Sequence, residues 1–215
     1  MQGNLDLLFS KPVMTFDNII SDNELQFVNM WLKEHFRKNN STRADTFSPL
    51  FTVNSSHKWD PRLQDNVELN ELCNKFVEAS KIMANKLGYI ETAERLFIKD
   101  MWAYIGSPGD FVQTHLHQNS FISGAFYLQV PDNCKLIFKD YNNMFKMPDR
   151  WNDINKIQNF YDLIPNRLLL FRSDLPHGTP VIPAGVDKVT ISFNIQFHPD
   201  DLYEGGPTQN LRSVK

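Results

Sequence analysis

Only two cysteines, Cys73 and Cys134, occur in 215 residues. That excludes a disulfide framework, and Cys73, set within a helical pattern, reads as a small core residue. Basic charge is equally short. The 22 lysines and arginines against 25 acidic residues leave a net charge of -3, with no basic face of the kind that draws in nucleic acid. No apolar run is long enough to suggest a membrane span, and residues 1–10 have neither the basic start nor the apolar stretch of a signal peptide. A reducing, cytoplasmic setting is the one expected. Internal repeats and low-complexity segments are also missing. What is present is a chain with 22% charged and 41% hydrophobic residues, the composition of one globular domain able to bury a core.

Periodicity divides the chain into a helical part, about 20–90, and a strand-rich part, about 95–198. Ser21 and Glu24 form a capping box, and Leu25, Val28, Trp31, Leu32 and Phe36 follow at helical spacing, which predicts a helix over 22–37. Residues 38–64 are polar and broken, with a strand expected at 50–53. A second stripe, Leu69, Leu72, Cys73, Phe76, Met83 and Leu87, predicts a helix over 65–87 stopped by Gly88. Strands follow at 96–105, 122–130, 136–138 and 168–171, with short edge pieces expected within 6–20. Residues 139–160 are too long for a simple connection and read as a lid or substrate-facing loop. The last strand, 188–197, alternates cleanly: Val189, Ile191, Phe193, Ile195 and Phe197 on one face, Lys188, Thr190, Ser192, Asn194 and Gln196 on the other. The polar face is expected to line a barrel, with a solvated outer face as the alternative. The tail, 199–215, has little periodicity. Helices first and many short strands afterwards predict a mainly β jelly roll with flanking helices.

The chemistry gathers around residues 113–128. His115 and His117 stand two apart and lead into an apolar run. In a strand, positions i and i+2 point the same way, so both imidazoles converge on one point, where a third ligand would close a metal site. The alternative is a pair of surface or hydrogen-bonded histidines. His177, which follows the strand at 168–171, is the third candidate, and three neutral imidazoles suit iron, zinc or copper. Lys188 opens the polar face of the last strand with Thr190 two residues on. A cation there, with a hydroxyl beside it, suits the far carboxylate of a dicarboxylic acid, against the alternative of a solvated lysine. His35, His57 and His198 read as incidental; His35 ends a helix, where the dipole favours a histidine.

The ordered set of these residues resembles the Fe(II)- and 2-oxoglutarate-dependent oxygenases, in particular a short branch of them from bacteria and phages. The likeness begins at Leu7-Leu8-Phe9-Ser10-Lys11-Pro12-Val13. It is most specific at His115-Leu116-His117-Gln118 with Ser123-Gly124-Ala125-Phe126-Tyr127-Leu128. It closes with Leu169-Leu170-Phe171, His177 and Lys188-Val189-Thr190-Ile191-Ser192-Phe193-Asn194, so that it covers most of residues 5–197. It implies a double-stranded β-helix, a cupin-like jelly roll, with His115, His117 and His177 as catalytic iron ligands. Here His117 occupies the position where the family usually has a carboxylate, with Asp174 as a remote substitute. Lys188 and Thr190 occupy the positions of the family's oxoglutarate-binding Arg-x-Ser; lysine keeps the charge and gives up the bidentate fork. Tyr104 and Tyr127 fall near positions where related hydroxylases hold oxoglutarate, the alternative for each being a core tyrosine. The resemblance therefore implies an Fe(II)- and 2-oxoglutarate-dependent hydroxylase using dioxygen on a small-molecule or peptidyl substrate. Two further readings stay open: a three-histidine dioxygenase that does not use oxoglutarate, and a jelly-roll binding domain without catalysis. Neither the substrate nor the oligomeric state has a signature in the sequence.

Overall fold

A computed structural model describes residues 11–39, 52–140, 149–150 and 156–202. Its first helix, α1 (Asp22–Lys38), starts where the capping box predicts. Ser21 Oγ accepts from the Glu24 amide at 3.3 Å, and Glu24 Oε2 accepts from the Ser21 amide at 2.8 Å. Val28, Leu32 and Phe36, spaced by four, are the residues it buries. The second helix, α2 (Asn70–Lys86), is shorter than its stripe suggested. Asn66 sits in an extended conformation, so Leu63–Asp65 and Val67–Leu69 form separate 3-10 turns and the α-helix begins only at Asn70. Its far end stops as predicted. Gly88 has φ +91° and the amides of Gly88 and Tyr89 bond the carbonyls of Asn85 and Ala84, a Schellman closure that glycine enters without a Cβ clash.

The strands are β1 (Val13–Asp17), β2 (Asn54–Ser55), β3 (Phe97–Gly106), β4 (Val112–His115), β5 (Ile122–Gln129), β6 (Lys135–Lys139), β7 (Gln158–Asp162), β8 (Arg167–Arg172), β9 (His177–Thr179) and β10 (Lys188–Gln196). They form a six-stranded sheet, β1-β8-β5-β10-β3-β2, and a four-stranded sheet, β4-β9-β6-β7. Every neighbouring pair is antiparallel. This is the expected jelly roll with helices on one face of the larger sheet. β10 lies near its middle, and the alternation of its sequence separates two buried environments rather than core from water. Val189, Ile191, Phe193 and Ile195 join the core with Leu72, Phe76 and Met83 of α2. The rings of Phe76 and Phe193 stack at 4.3 Å. Lys188, Thr190, Ser192 and Asn194 point the other way and are buried too, Lys188 and Thr190 at 0% exposure. The solvated-face alternative is thereby overturned.

Several expectations need correction. The strand predicted at 50–53 is instead β2, at Asn54–Ser55, paired with Ile105 and Tyr104; residues 50–51 lie outside the described residues, and Thr52 and Val53 are not strand. The segment 139–160 ends in β7, which pairs along β6; the lid proposed there falls mostly on 141–148 and 151–155, outside the described residues. β9 is too short for its pattern to register in sequence. The tail begins with a turn at Pro199–Leu202 that Arg95 holds through Asp200 and Asp201; the rest of it, and residues 7–9, lie outside the described residues. Among the described residues no helix is long and apolar enough to cross a membrane.

Candidate metal centre and deep pocket

His115 ends β4 and His177 begins β9, and the two are direct partners across the antiparallel pair. Glycine follows His177 because β4 passes close: a Cβ on Gly178 would stand 2.8 Å from the Val112 carbonyl oxygen. His117 arrives differently from the prediction. β4 stops at His115, so strand alternation does not aim His117; its backbone amide is held by the Ser173 carbonyl at 2.9 Å, two residues beyond the strand. The ring centroids lie 4.5 to 5.1 Å apart, and one nitrogen from each ring falls within 4.8 Å of the others.

Every Nδ1 of the triad is engaged. His115 Nδ1 meets the Gln113 carbonyl at 2.8 Å and His177 Nδ1 meets the Leu175 carbonyl at 2.9 Å. His117 Nδ1 meets Asn194 Oδ1 at 2.7 Å and Ser123 Oγ at 2.9 Å. A ring that donates from Nδ1 keeps the Nε2 lone pair free for a metal. The Nε2 atoms of His115 and His117 are 3.1 Å apart, close to the roughly 3 Å between adjacent ligands at right angles around an ion with bonds of about 2.1 Å. Burial favours the neutral rings that ligation needs. Desolvation lowers the pKa of His115 and pushes His117 down to about 4; for His177 burial first, then its two neighbours, lowers it well below the ordinary value. Phe171 packs on His177 with centroids 4.5 Å apart. The donor set, its tautomers and its spacing fit a divalent transition metal.

The triad opens into a cavity of about 420 Å³ between the two sheets. The inner face of the larger sheet crosses it in rows set by strand register. Asp100, Asn194 and Ser123 form one row across β3, β10 and β5; Trp102, Ser192 and Ala125 form the next; Tyr104, Thr190 and Tyr127 form the deepest. Beside the deepest row stands Lys188. Its Nζ donates to Tyr104 Oη at 3.2 Å and to Thr179 Oγ1 at 3.0 Å, and lies 4.9 and 5.4 Å from the ring centres of Tyr104 and Tyr127. Tyr104 and Thr179 line the cavity, so the ammonium sits one hydrogen bond behind its wall. No carboxylate pairs with it among the described residues. The hydroxyls of Tyr127 and Thr190, both buried, also find no partner there. Burial raises the Tyr127 pKa well above the usual phenol value, so this hydroxyl keeps its proton.

Other candidates fall away from the centre. Asp174 is bound on the surface to Arg172, with contacts of 2.9 and 3.0 Å, which removes the remote carboxylate. His35 contacts Asp60 at 2.7 Å and stacks on Trp31, and His198 pairs with Asp200. His57, read as incidental, lines the cavity with its ring edge-on to Trp102 at 5.3 Å. Asp100, Ser123, Asn194 and Thr179 also border the site without having been singled out. Asn194 was visible on the polar face of the last strand, while the others needed strand pairing to place them.

Comparison with known proteins agrees with this geometry. Residues 100–194, from Asp100 on β3 to Asn194 on β10, match the family model described as "Putative 2OG-Fe(II) oxygenase". The match spans less than half of the chain, and the chain as a whole has the fold of such oxygenases. A prolyl-4-hydroxylase from Pseudomonas putida superposes with a TM-score of 0.58 at 13% identity, covering 88% of this chain and 94% of its own. The α-ketoglutarate-dependent epimerase SnoN of nogalamycin biosynthesis gives 0.60 at 10% identity, with coverages of 95% and 86%. The viral collagen prolyl hydroxylase of Paramecium bursaria Chlorella virus-1, solved as a 2OG complex, gives 0.53 at 11% identity, with coverages of 85% and 94%. No curated protein matches the sequence.

Proposed function

We propose that the chain is an Fe(II)- and 2-oxoglutarate-dependent dioxygenase that hydroxylates a small-molecule or peptidyl substrate. The observation that carries this reading is the deep pocket: a fully buried Lys188 that meets no carboxylate among the described residues, beside two buried hydroxyls that find no partner among them. Hydrogen bonds to Tyr104 and Thr179 offset the burial of the ammonium but leave its charge without a counterion, and each unsatisfied buried hydroxyl costs about 1–3 kcal/mol. One carboxylate relieves all three, and the C5 carboxylate of oxoglutarate is such a group on a ligand whose other end chelates a metal. Lys188 supplies the countercharge, Thr190 and Tyr127 donate hydrogen bonds, and Tyr104 holds Lys188 in place.

His115, His117 and His177 would hold the iron through Nε2. When bound, the iron couples oxidative decarboxylation of oxoglutarate by dioxygen to oxidation of a substrate C–H bond. The chain does the rest. Gln113 and Leu175 carbonyls fix the tautomers of His115 and His177, while Asn194 and Ser123 fix that of His117. Leu136, Phe171 and Ala125 make the apolar wall that keeps water out, and Trp102, His57 and Gln118 line the cavity where the substrate would lie. We read residues 20–90 as helical support and 95–198 as the barrel of one domain spanning 1–215. The test is oxoglutarate titration into the Mn(II)-loaded protein, followed by succinate release with Fe(II) and dioxygen. Absence of binding at millimolar oxoglutarate hands the site either to the three-histidine dioxygenase, in which oxygen uptake needs no oxoglutarate, or to the jelly-roll binding domain, which takes up no oxygen.

A further inference from the structure

His117 differs from the other two histidines in what lies behind it. His115 and His177 donate to backbone carbonyls, which no side chain can tune. His117 donates to a side-chain amide, Asn194 Oδ1 at 2.7 Å, and the other end of that amide, Asn194 Nδ2, donates to Asp100 Oδ1 at 2.5 Å. Ser123 Oγ adds a bond to the same Asn194 oxygen at 2.8 Å and is itself bonded to Ser173 Oγ at 2.8 Å. Three neighbouring strands hold this row, since Asn194 is the direct register partner of both Asp100 and Ser123. The register of β10 against β3 shifts immediately after Asn194, between it and Ile195, so the row marks the last regular step of the pairing. Asp100 has no salt-bridge partner among the described residues; the asparagine amide is the contact that uses its charge.

An amide that donates to a carboxylate is polarised and becomes a stronger acceptor at its oxygen. That strengthens the hydrogen bond from His117 Nδ1 and makes its Nε2 a more basic ligand. We infer that Asp100, acting through Asn194, is a positioning residue that charges His117 electrostatically and so stands in, one amide removed, for the carboxylate ligand that this three-histidine centre does not have. The inference rests on the three-histidine metal reading. It assigns the Asp100–Asn194 pair a task distinct from fold stability: to tighten the hold on a divalent ion.

The experiment is Mn(II) titration of the metal-free full chain, read by the fraction of free Mn(II) in electron paramagnetic resonance, with the metal-free melting temperature measured in parallel. Loss of an outer partner of this kind weakens metal binding about ten- to a hundredfold, so Asp100→Asn should weaken Mn(II) binding by about tenfold or more. The exchanged double variant, Asp100→Asn with Asn194→Asp, moves the negative charge directly onto His117 Nδ1 and keeps the row's shape. It should regain wild-type affinity or exceed it, which a purely structural role for Asp100 does not predict. The inference is overturned if Asp100→Asn binds Mn(II) within twofold of wild type, or if the exchanged variant is folded and stays as weak as the single one. Should the single variant fail to fold, the exchanged variant alone decides, because its affinity is compared with wild type. Failure of wild type itself to bind Mn(II), with His177→Ala indistinguishable from it, would bring down the three-histidine metal centre of the proposed function as well.

Discussion

Replacing Lys188 by methionine separates the cosubstrate role of this residue from any role in folding. Methionine keeps most of the stem and removes the charge, so the packing against Tyr104 and Tyr127 is largely retained. In the free protein the ammonium is fully buried and held by Tyr104 Oη and Thr179 Oγ1. Burial costs it several kcal/mol, and hydrogen bonds to a charged donor return about 1.5–3 kcal/mol each. The two nearly cancel, so Lys188→Met should leave metal-free stability within about 2 kcal/mol of wild type. With oxoglutarate present the balance changes. Removing one partner of a buried ion pair costs about 3–5 kcal/mol, and at about 1.36 kcal/mol per decade that is more than two decades of affinity. Calorimetric titration of oxoglutarate into the Mn(II)-loaded proteins should therefore show at least roughly a hundredfold loss, with Mn(II) affinity unchanged. Oxoglutarate binding within threefold of wild type would refute the assignment of Lys188. Collapse of the metal-free protein would refute the balance on which the magnitude rests.

His177→Ala should abolish metal binding, checked by metal content after loading and dialysis; an unchanged content removes His177 from the site. The metal-free protein should lose stability as the pH falls below about 6.5. Unfolded His117 takes up its proton near 6.5 and the folded ring only near 4, so protons favour unfolding throughout that window, and this residue alone accounts for about 3 kcal/mol by its lower end. Melting temperature against pH should be flatter in His117→Gln; an equally steep profile would assign the loss elsewhere. Phe193→Ala should cost about 3–5 kcal/mol in chemical denaturation, since its ring stacks on Phe76 and fills the space over Gly124, where a Cβ would stand 2.2 Å from it.

Local rules carried the helices and the strand faces. The capping box at Ser21 and the spacing of Val28, Leu32 and Phe36 act within one or two turns of chain, so the start and buried stripe of α1 are legible without any partner. Period-two alternation likewise marked the two faces of β10, and residue type marked the three histidines as possible ligands. Tertiary structure decided what those local features meet. Alternation cannot say that both faces of β10 are buried; that depends on α2 covering one side and the smaller sheet covering the other. Residue spacing put His117 on a strand, yet the strand ends at His115 and a carbonyl from Ser173, far along the chain, aims His117 at the centre. Short strands such as β9 exist only through the partners that hold their backbone groups, so their own three residues carry no signal. Asp100, Asn194 and Ser123 are separated by many residues in sequence and become one hydrogen-bonded row through strand register. Sequence by itself therefore determined which side chains were available for chemistry, because residue type and short-range periodicity are properties of the chain. Only the folded sheets decided which of them share a cavity, because register and burial are properties of segments that meet across the fold.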